Sequence, residues 1–322
     1  MVTDVTVSRW SRLRRGLRGC CWLLLACVAA VVVIRLAGLD DGTYLALPVS
    51  GMPYLAVVSV LLLGASALLR GRALSVVAAA LVVVQVVLLA PRFVAEGAEP
   101  APAAGATVRV ATSNTLQGRV DAGALVDLVR TQRVDVLAVQ EFTPSAASTL
   151  AEAGLADLLP HHVLPGGADT ALYSRLPLSR TGALAAPTTW RQAAASVRVG
   201  GREIRLVSVH TYFPAGDPDR WSRDLAALRT AARHNAVLLG DFNATLDHAP
   251  LRELLAAGLV DSHAELGEAW APTWPTRGAS PVPLLQLDHV LHGDALAATW
   301  AGEYELPGSD HRAVVAELRL TR

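Results

Sequence analysis

Three stretches of nearly unbroken apolar residues fill the first ninety positions of the chain, at 20–39, 52–69 and 73–90. Each is close to or above the roughly 17 residues that a helix needs to cross a bilayer core. The pattern therefore predicts three transmembrane helices. Arg35 interrupts the first run near its end, where a long side chain can snorkel to the interface. Only Arg70, Gly71 and Arg72 separate the second run from the third, so a tight hairpin is expected there. A cleaved signal peptide is the competing reading of the first run, because Arg12, Arg14, Arg15 and Arg18 precede it. No small-x-small cleavage site follows, and two more apolar runs do, which favours an uncleaved helix.

Arginine placement orients these helices, since positively charged short loops stay in the cytoplasm. Five Arg precede the first run and two occupy the hairpin, whereas the loop at 40–51 has two Asp and no Lys or Arg. Both signs predict a cytoplasmic N-terminus and an extracytoplasmic segment after residue 90. Residues 1–94 are thus read as a membrane anchor and the Ala/Pro-rich stretch 95–106 as a semi-extended linker. A catalytic domain is expected at 107–322.

From residue 107 the pattern changes to short β-rich runs. Strands are predicted at 108–114, 134–141, 171–174, 194–199, 204–210, 237–240, 285–291, 297–303 and 313–318. Asp121 reads as the N-cap of a helix reaching about residue 132, and Trp221, Leu225 and Leu228 stand at helical spacing in a second. Polar residues recur at one kind of place. Asn114, Glu141, His210, Asp241 and Asn243 each lie at or just past the C-terminal end of a predicted strand. In layered α/β proteins those ends are where sites are assembled.

Composition narrows the function. Hydrophobic residues make up 52% of the 322, mostly because of the first ninety, and the formal net charge is +0. Beyond residue 104 the chain has 19 Arg, no Lys and 23 Asp plus Glu, a net charge of −4. A domain that grips nucleic acid non-specifically usually carries the opposite sign. Cys20, Cys21 and Cys27 all fall in or beside the first apolar run, so the segment beyond it has neither a disulfide nor a thiolate nucleophile. They read as small apolar fillers of a helix.

Seven short motifs occur in order: SNT at 113–115, VQE at 139–141, YSRLPL at 173–178, VHT at 209–211, GDFN at 240–243, LDHVL at 287–291 and SDHR at 309–312. This ordered set resembles the endonuclease/exonuclease/phosphatase family, over about two thirds of the chain. The resemblance implies a DNase I-like four-layer α/β/β/α sandwich, here preceded by three transmembrane helices. It also implies a phosphoesterase that uses Mg²⁺ or Mn²⁺.

Phosphoester cleavage needs a divalent cation, an activated water and donors around the phosphate. Glu141 is the candidate hard-oxygen ligand, with Asn114 sharing the metal shell or orienting a carboxylate beside it. Asp241 and Asn243 can present a base or second metal ligand together with a phosphate donor. The family pattern implies that His311 contacts the scissile phosphate, that Asp288 orients it, and that Asp310 lies near the metal. His210 is expected as the second histidine, donating to a phosphate oxygen, without a carboxylate that the sequence can assign to it.

Other residues read as structural. His161, His162, His234, His248, His263 and His292 are expected on the surface or in loops, and His289 in the fold. Trp190, Trp270 and Trp274 are read as loop packing, with lining of the substrate cleft as the alternative. The leading function is an extracytoplasmic phosphoesterase acting on nucleic acid, a phospholipid head group or an inositol phosphate. Tethering and charge favour a small or membrane-borne ester. A surface nuclease acting on extracellular DNA and a catalytically dead scaffold are the alternatives, and no protein partner is inferable. A transporter is disfavoured, because Gln85 and Arg35 alone offer no polar pathway.

Overall fold

The computed structural model describes residues 3–95, 105–277 and 282–321. Most of the Ala/Pro-rich stretch at 95–106 therefore lies outside the described residues. In chain order the N-terminal part comprises α1 (Thr3–Ala37), α2 (Ala46–Val49), α3 (Met52–Leu68) and α4 (Arg72–Leu89), closed by a 3₁₀ turn at Ala90–Phe93. The rest begins with β1 (Thr107–Asn114), α5 (Ala122–Thr131), β2 (Val136–Gln140), α6 (Pro144–Glu152), α7 (Leu155–Leu158), β3 (His161–Val163) and β4 (Ala171–Ser174). It continues with β5 (Ser179–Ala183), β6 (Ala193–Val199), β7 (Arg202–His210), α8 (Pro218–Leu228), β8 (Ala236–Asp241) and α9 (Ala249–Ala256). The last elements are β9 (Val260–Asp261), α10 (Ser262–Glu265), β10 (Asp288–His292), β11 (Leu296–Glu305) and β12 (Arg312–Leu320).

Among the described residues, two helical segments are long and apolar enough to cross a membrane, Arg12–Ala37 and Arg72–Phe93. The third expected span, α3, is shorter at 17 residues, about 26 Å at 1.5 Å per residue. All three helices pack together, through Leu25, Leu62, Leu74 and Ala78 at one level and Val28, Val32, Val49 and Met52 at another. Their outer faces are apolar as well, with Leu23, Leu61, Leu68 and Val76 exposed.

Twelve strands form two six-stranded sheets, ordered β11-β12-β1-β2-β4-β3 and β5-β6-β7-β8-β10-β9. Alternation along the strands explains why they stack. Val108, Val110, Val136 and Ala138 of the first sheet meet Val197, Leu206, Val237 and Leu239 of the second in one apolar layer. On the far side of the first sheet, Ala111, Leu137 and Val139 pack under Leu125, Val129 and Leu150 of α5 and α6. On the far side of the second, Val207, Val209 and Leu238 pack under Trp221, Leu225 and Leu254 of α8 and α9. The architecture is the expected α/β/β/α sandwich, with sheet faces that are apolar on both sides because both are covered.

Most predicted strands fall within two residues of the observed ends. One differs more: the run at 285–291 enters the sheet only at Asp288, because Leu285 makes an isolated bridge with Trp274. The Oγ1 of Thr273 also takes the backbone N–H groups of Leu287 and Asp288. Another correction concerns Arg35, which does not snorkel. It is 5% exposed, with its Nε 2.7 Å from Asp247 Oδ1.

Candidate active site

Register is what gathers the functional side chains. In the second sheet His210 of β7 pairs with Asp241 of β8, and Asp241 pairs on its other side with Asp288 of β10. Three neighbouring strands thus place a His, an Asp and an Asp in one row. In the first sheet Asn114 pairs with Gln140, and Glu141 follows immediately. Asn114 ties the two sheets together: its Nδ2 donates to Glu141 Oε1 at 3.2 Å and to Asp241 Oδ2 at 3.0 Å.

The motifs acquire mechanical reasons here. A Cβ at Gly240 would lie 1.9 Å from the carbonyl oxygen of Val209, so only glycine fits ahead of Asp241. Glu141 and Asn243 adopt φ of 50° and 47°, a region that non-glycine residues rarely occupy and that clusters at functional sites. The turn holding Asn243 is built from its own residues. Asn243 N–H donates to Asp241 Oδ1 at 2.8 Å, and its Nδ2 donates to Thr211 O at 3.1 Å. Ser309 joins the last motif to the first, because its Oγ donates to Asn114 O and accepts from His311 N–H.

Two imidazoles stand in the same posture. His311 Nδ1 is 2.8 Å from Asp288 Oδ2, and His210 Nδ1 is 2.7 Å from Asp169 Oδ2. Their Nε2 atoms face one oxygen, Asp241 Oδ2, at 3.8 and 4.0 Å. Burial by itself would lower the pKa of His311, but the carboxylates of Asp288 and Asp241 outweigh it and push it up to about 10. His210 is raised in the same way, by Asp169, Asp241 and Glu141 acting against burial. Burial lifts Asp241 above the usual carboxylate range, with His311 opposing and Asp288 adding to the shift.

A cavity of about 670 Å³ opens over these groups. Glu141, His210, Asp241, Asn243, Asp310 and His311 line it; Asn114 and Asp288 do not, being fully buried behind it. The expected metal set, Glu141, Asn114 and Asp310, is split between wall and interior. Among the described His, Cys, Asp and Glu residues, Asp241, Asp288 and His311 offer donor atoms within 4.8 Å of one another. In that trio the His–Asp contact already occupies one nitrogen and one oxygen. Asn114 Oδ1 is also engaged, accepting from Leu116 N–H at 2.9 Å. A cation nonetheless fits the cavity. Four carboxylates, Glu141, Asp169, Asp241 and Asp310, line it and no Arg does among the described residues, and the buried Oδ1 atoms of Asp310 and Asp288 have no hydrogen-bond partner. Unsatisfied hard oxygens of this kind suit a divalent metal.

Asp169 was not legible in the sequence, because it precedes its strand and the apolar runs direct attention to strand ends. Trp190 and Trp274 are cleft residues and not loop packing. The Trp190 ring stacks on His210 with centroids 4.4 Å apart, and Trp274 Nε1 donates to Asp310 Oδ2 at 3.2 Å. Gln192 also serves the site, bonding both the N–H and the C=O of His210. Trp270 stays outside the cavity, edge-on to Tyr54.

Three histidines expected on the surface or in loops are buried, His248 within a loop as expected and His263 and His292 within α10 and β10. His248 bonds Ala46 O, His263 lies against Glu303, and His292 contacts Glu265 at 3.0 Å. Such burial is possible because each meets an acceptor, the buried carbonyl of Ala46 or a partly buried carboxylate, that sequence spacing does not disclose. His289 is structural as expected, held between Asp261 and Ala244 O.

Residues 111–311 match the Endonuclease/Exonuclease/phosphatase family. The chain belongs to that family. Its members are hydrolases of phosphoester bonds and use divalent metals. No curated protein matches the chain. Solved structures do: humanized D. rerio TDP2 is 18% identical with a TM-score of 0.54, covering 66% of this chain and 99% of that one. An endonuclease/exonuclease/phosphatase from Beutenbergia cavernae is 20% identical with a TM-score of 0.53, covering 67% and 72%. D. rerio TDP2 complexed with single strand DNA product is 16% identical with a TM-score of 0.53, covering 66% and 99%. At these identities the likeness is one of fold.

Proposed function

We propose that this chain is a membrane-anchored, divalent-metal-dependent phosphoesterase acting outside the cytoplasm on a membrane-borne phosphoester. The observation that carries the chemistry is the pair of carboxylate-held imidazoles converging on Asp241 Oδ2. Glu141 and Asp310 would hold Mg²⁺ or Mn²⁺, and Asn114 would orient the Glu141 and Asp241 carboxylates. The bound ion supplies charge neutralisation at the phosphate. His311, pushed up to about 10, keeps a proton on Nε2 for a phosphate oxygen and His210 presents its Nε2 to the same space, while Asp288 and Asp169 fix the rings through Nδ1. Asp241, lifted by burial, accepts the proton of the attacking water, and Asn243 donates from the adjacent turn. Turnover by the full chain should require the cation. Full activity in EDTA would sink the mechanism.

The substrate reading rests on the cavity wall. Ala46, Leu47, Phe213, Pro214 and Leu285 are among its lining residues, and no Arg is among those described. A polyanion draws its affinity from cationic contacts that this wall does not offer. An amphiphile with one phosphoester and an apolar body suits it better, and the apolar helices hold the cavity near the bilayer. The DNA product bound to D. rerio TDP2 keeps nuclease activity as the second reading. Relative kcat/KM of the full chain for plasmid DNA and for phospholipid or sphingolipid head-group esters, at one Mg²⁺ and salt concentration, decides between them. Efficient nicking without lipid turnover would make it a nuclease. For orientation, a reporter fused after Arg322 should be active only outside the cytoplasm.

A further inference from the structure

The loop leaving β8 has two ends. Asp241 and Asn243 face the cavity at one, while Asp247, His248 and Ala249 at the other are held by the N-terminal helices. Asp247 is fully buried and takes two guanidinium groups. Arg92, just beyond α4, binds it through Nη1 at 3.0 Å and Nη2 at 2.8 Å, and Arg35, in the last turn of α1, through Nε at 2.7 Å. The next residues continue the attachment. His248 Nδ1 accepts from Thr245 N–H at 2.8 Å, which leaves Nε2 to donate to Ala46 O at 3.0 Å. Helix α9 has no cap from its own sequence at His248; Asp40 Oδ2 takes the Ala249 N–H at 2.7 Å in its place. Arg252 Nη2 then donates to Arg35 O at 2.7 Å.

From these contacts we propose that the N-terminal helices complete the catalytic site, with Asp247 as a positioning residue that sets the 241–249 loop in register with α1 and α4. Three features separate this from simple docking of an anchor. The clamped segment is the one that carries Asp241 and Asn243, so a shift at Asp247 reaches Asn243 four residues away. Between them Ala244, Thr245 and Leu246 are buried, leaving the loop little room to absorb the shift locally. Helix α2 and the residue after it also supply Ala46, Leu47 and Ser50 to the cavity wall. An Arg that binds a carboxylate through both arms fixes orientation as well as distance.

The inference uses the phosphoesterase reading for its kinetic arm only, so the test has two readouts. The full chain is reconstituted in phosphatidylcholine vesicles. Hydrogen exchange of residues 241–249 is followed alongside hydrolysis of bis(p-nitrophenyl) phosphate with Mg²⁺, for wild type, Asp247→Asn, Arg92→Gln and Arg92→Lys. Exchange in this loop should rise tenfold or more in Asp247→Asn and Arg92→Gln, and in Arg92→Gln β1 and β6 should stay unchanged. In the same variants kcat should fall at least tenfold at nearly constant KM, and Arg92→Lys should recover part of both. Loop exchange unchanged in Arg92→Gln, which retains the Arg35 contact and so guards against misfolding, would overturn the proposal. So would rapid exchange throughout the sheets in Arg92→Gln, the mark of a general structural role. Wild type inert towards the ester with loop exchange responding as expected would sink the phosphoesterase reading and leave the coupling standing.

Discussion

Asp241 and Asp247 lie six residues apart on one loop and are almost equally buried, at 2% and 0% exposure. Their surroundings are opposite. Asp247 meets two guanidinium groups, and although burial works against it, Arg92 and Arg35 hold its carboxyl below the usual range. Asp241 meets two imidazoles at 3.8 and 4.0 Å, no Arg, and an open cavity, and burial lifts its carboxyl above that range. One carboxylate is fully neutralised by the chain and belongs to the architecture. The other is left incompletely neutralised, which is what a group needs if it is to receive a proton or a cation.

The sharpest way to break this comparison is to remove each charge in turn. Asp241→Asn should cut turnover by about 10³-fold, within the range for a positioned acid or base, without lowering Tm. His311→Ala should do about as much, and the double variant scarcely more, because groups serving one transition state are not additive. Simple additivity, or a melted domain, would mean that structural residues had been mistaken for catalytic ones. Asp247→Asn should behave the other way in the stability measurement. Breaking a buried pair from one side costs about 3 kcal/mol or more, read as a lower Tm of the full chain. Equal Tm for the two Asn variants would dissolve the distinction.

Smaller effects sharpen it. Glu141→Gln should lose about 10²-fold in rate, the size of a single electrostatic contribution, with part of the loss recovered at high Mg²⁺. Asp169→Asn should cost about tenfold, as expected for the partner of a functional imidazole, and leave the apparent metal affinity unchanged. No loss in that variant would remove Asp169 from the site. The smallest effect is in acid. Because Asp247 is depressed in the fold, the stability it confers is present above the ordinary carboxylate range and is lost only as pH falls through its lowered value. The Tm difference between wild type and Asp247→Asn should therefore be constant near neutrality and shrink in strong acid. A difference that already shrinks well above pH 4 would contradict the depressed carboxyl.

Local chemistry made much of this protein legible before its fold was known. Apolar runs marked the helices α1, α3 and α4, and alternation marked most of the strands, because both patterns follow from which face of an element must be covered. Shorter elements escaped although their signals were present: α6 opens with Thr143 as N-cap and Pro144 in its first turn, yet nine residues give little periodicity to read. The ordered motifs identified the family and seven residues that line the cavity or support it directly from behind, together with Asp310 opposite Trp274. What the sequence could not contain is distance across the fold. Asp169 reaches His210 from 41 positions away. Trp190 covers the same ring from a loop, and Asp247 finds Arg35 and Arg92 from 212 and 155 positions away. Residue type and spacing determine what each side chain can do. Only the stacking of two sheets and three helices decided that Asp247 meets its cations while Asp241, on the same loop, does not.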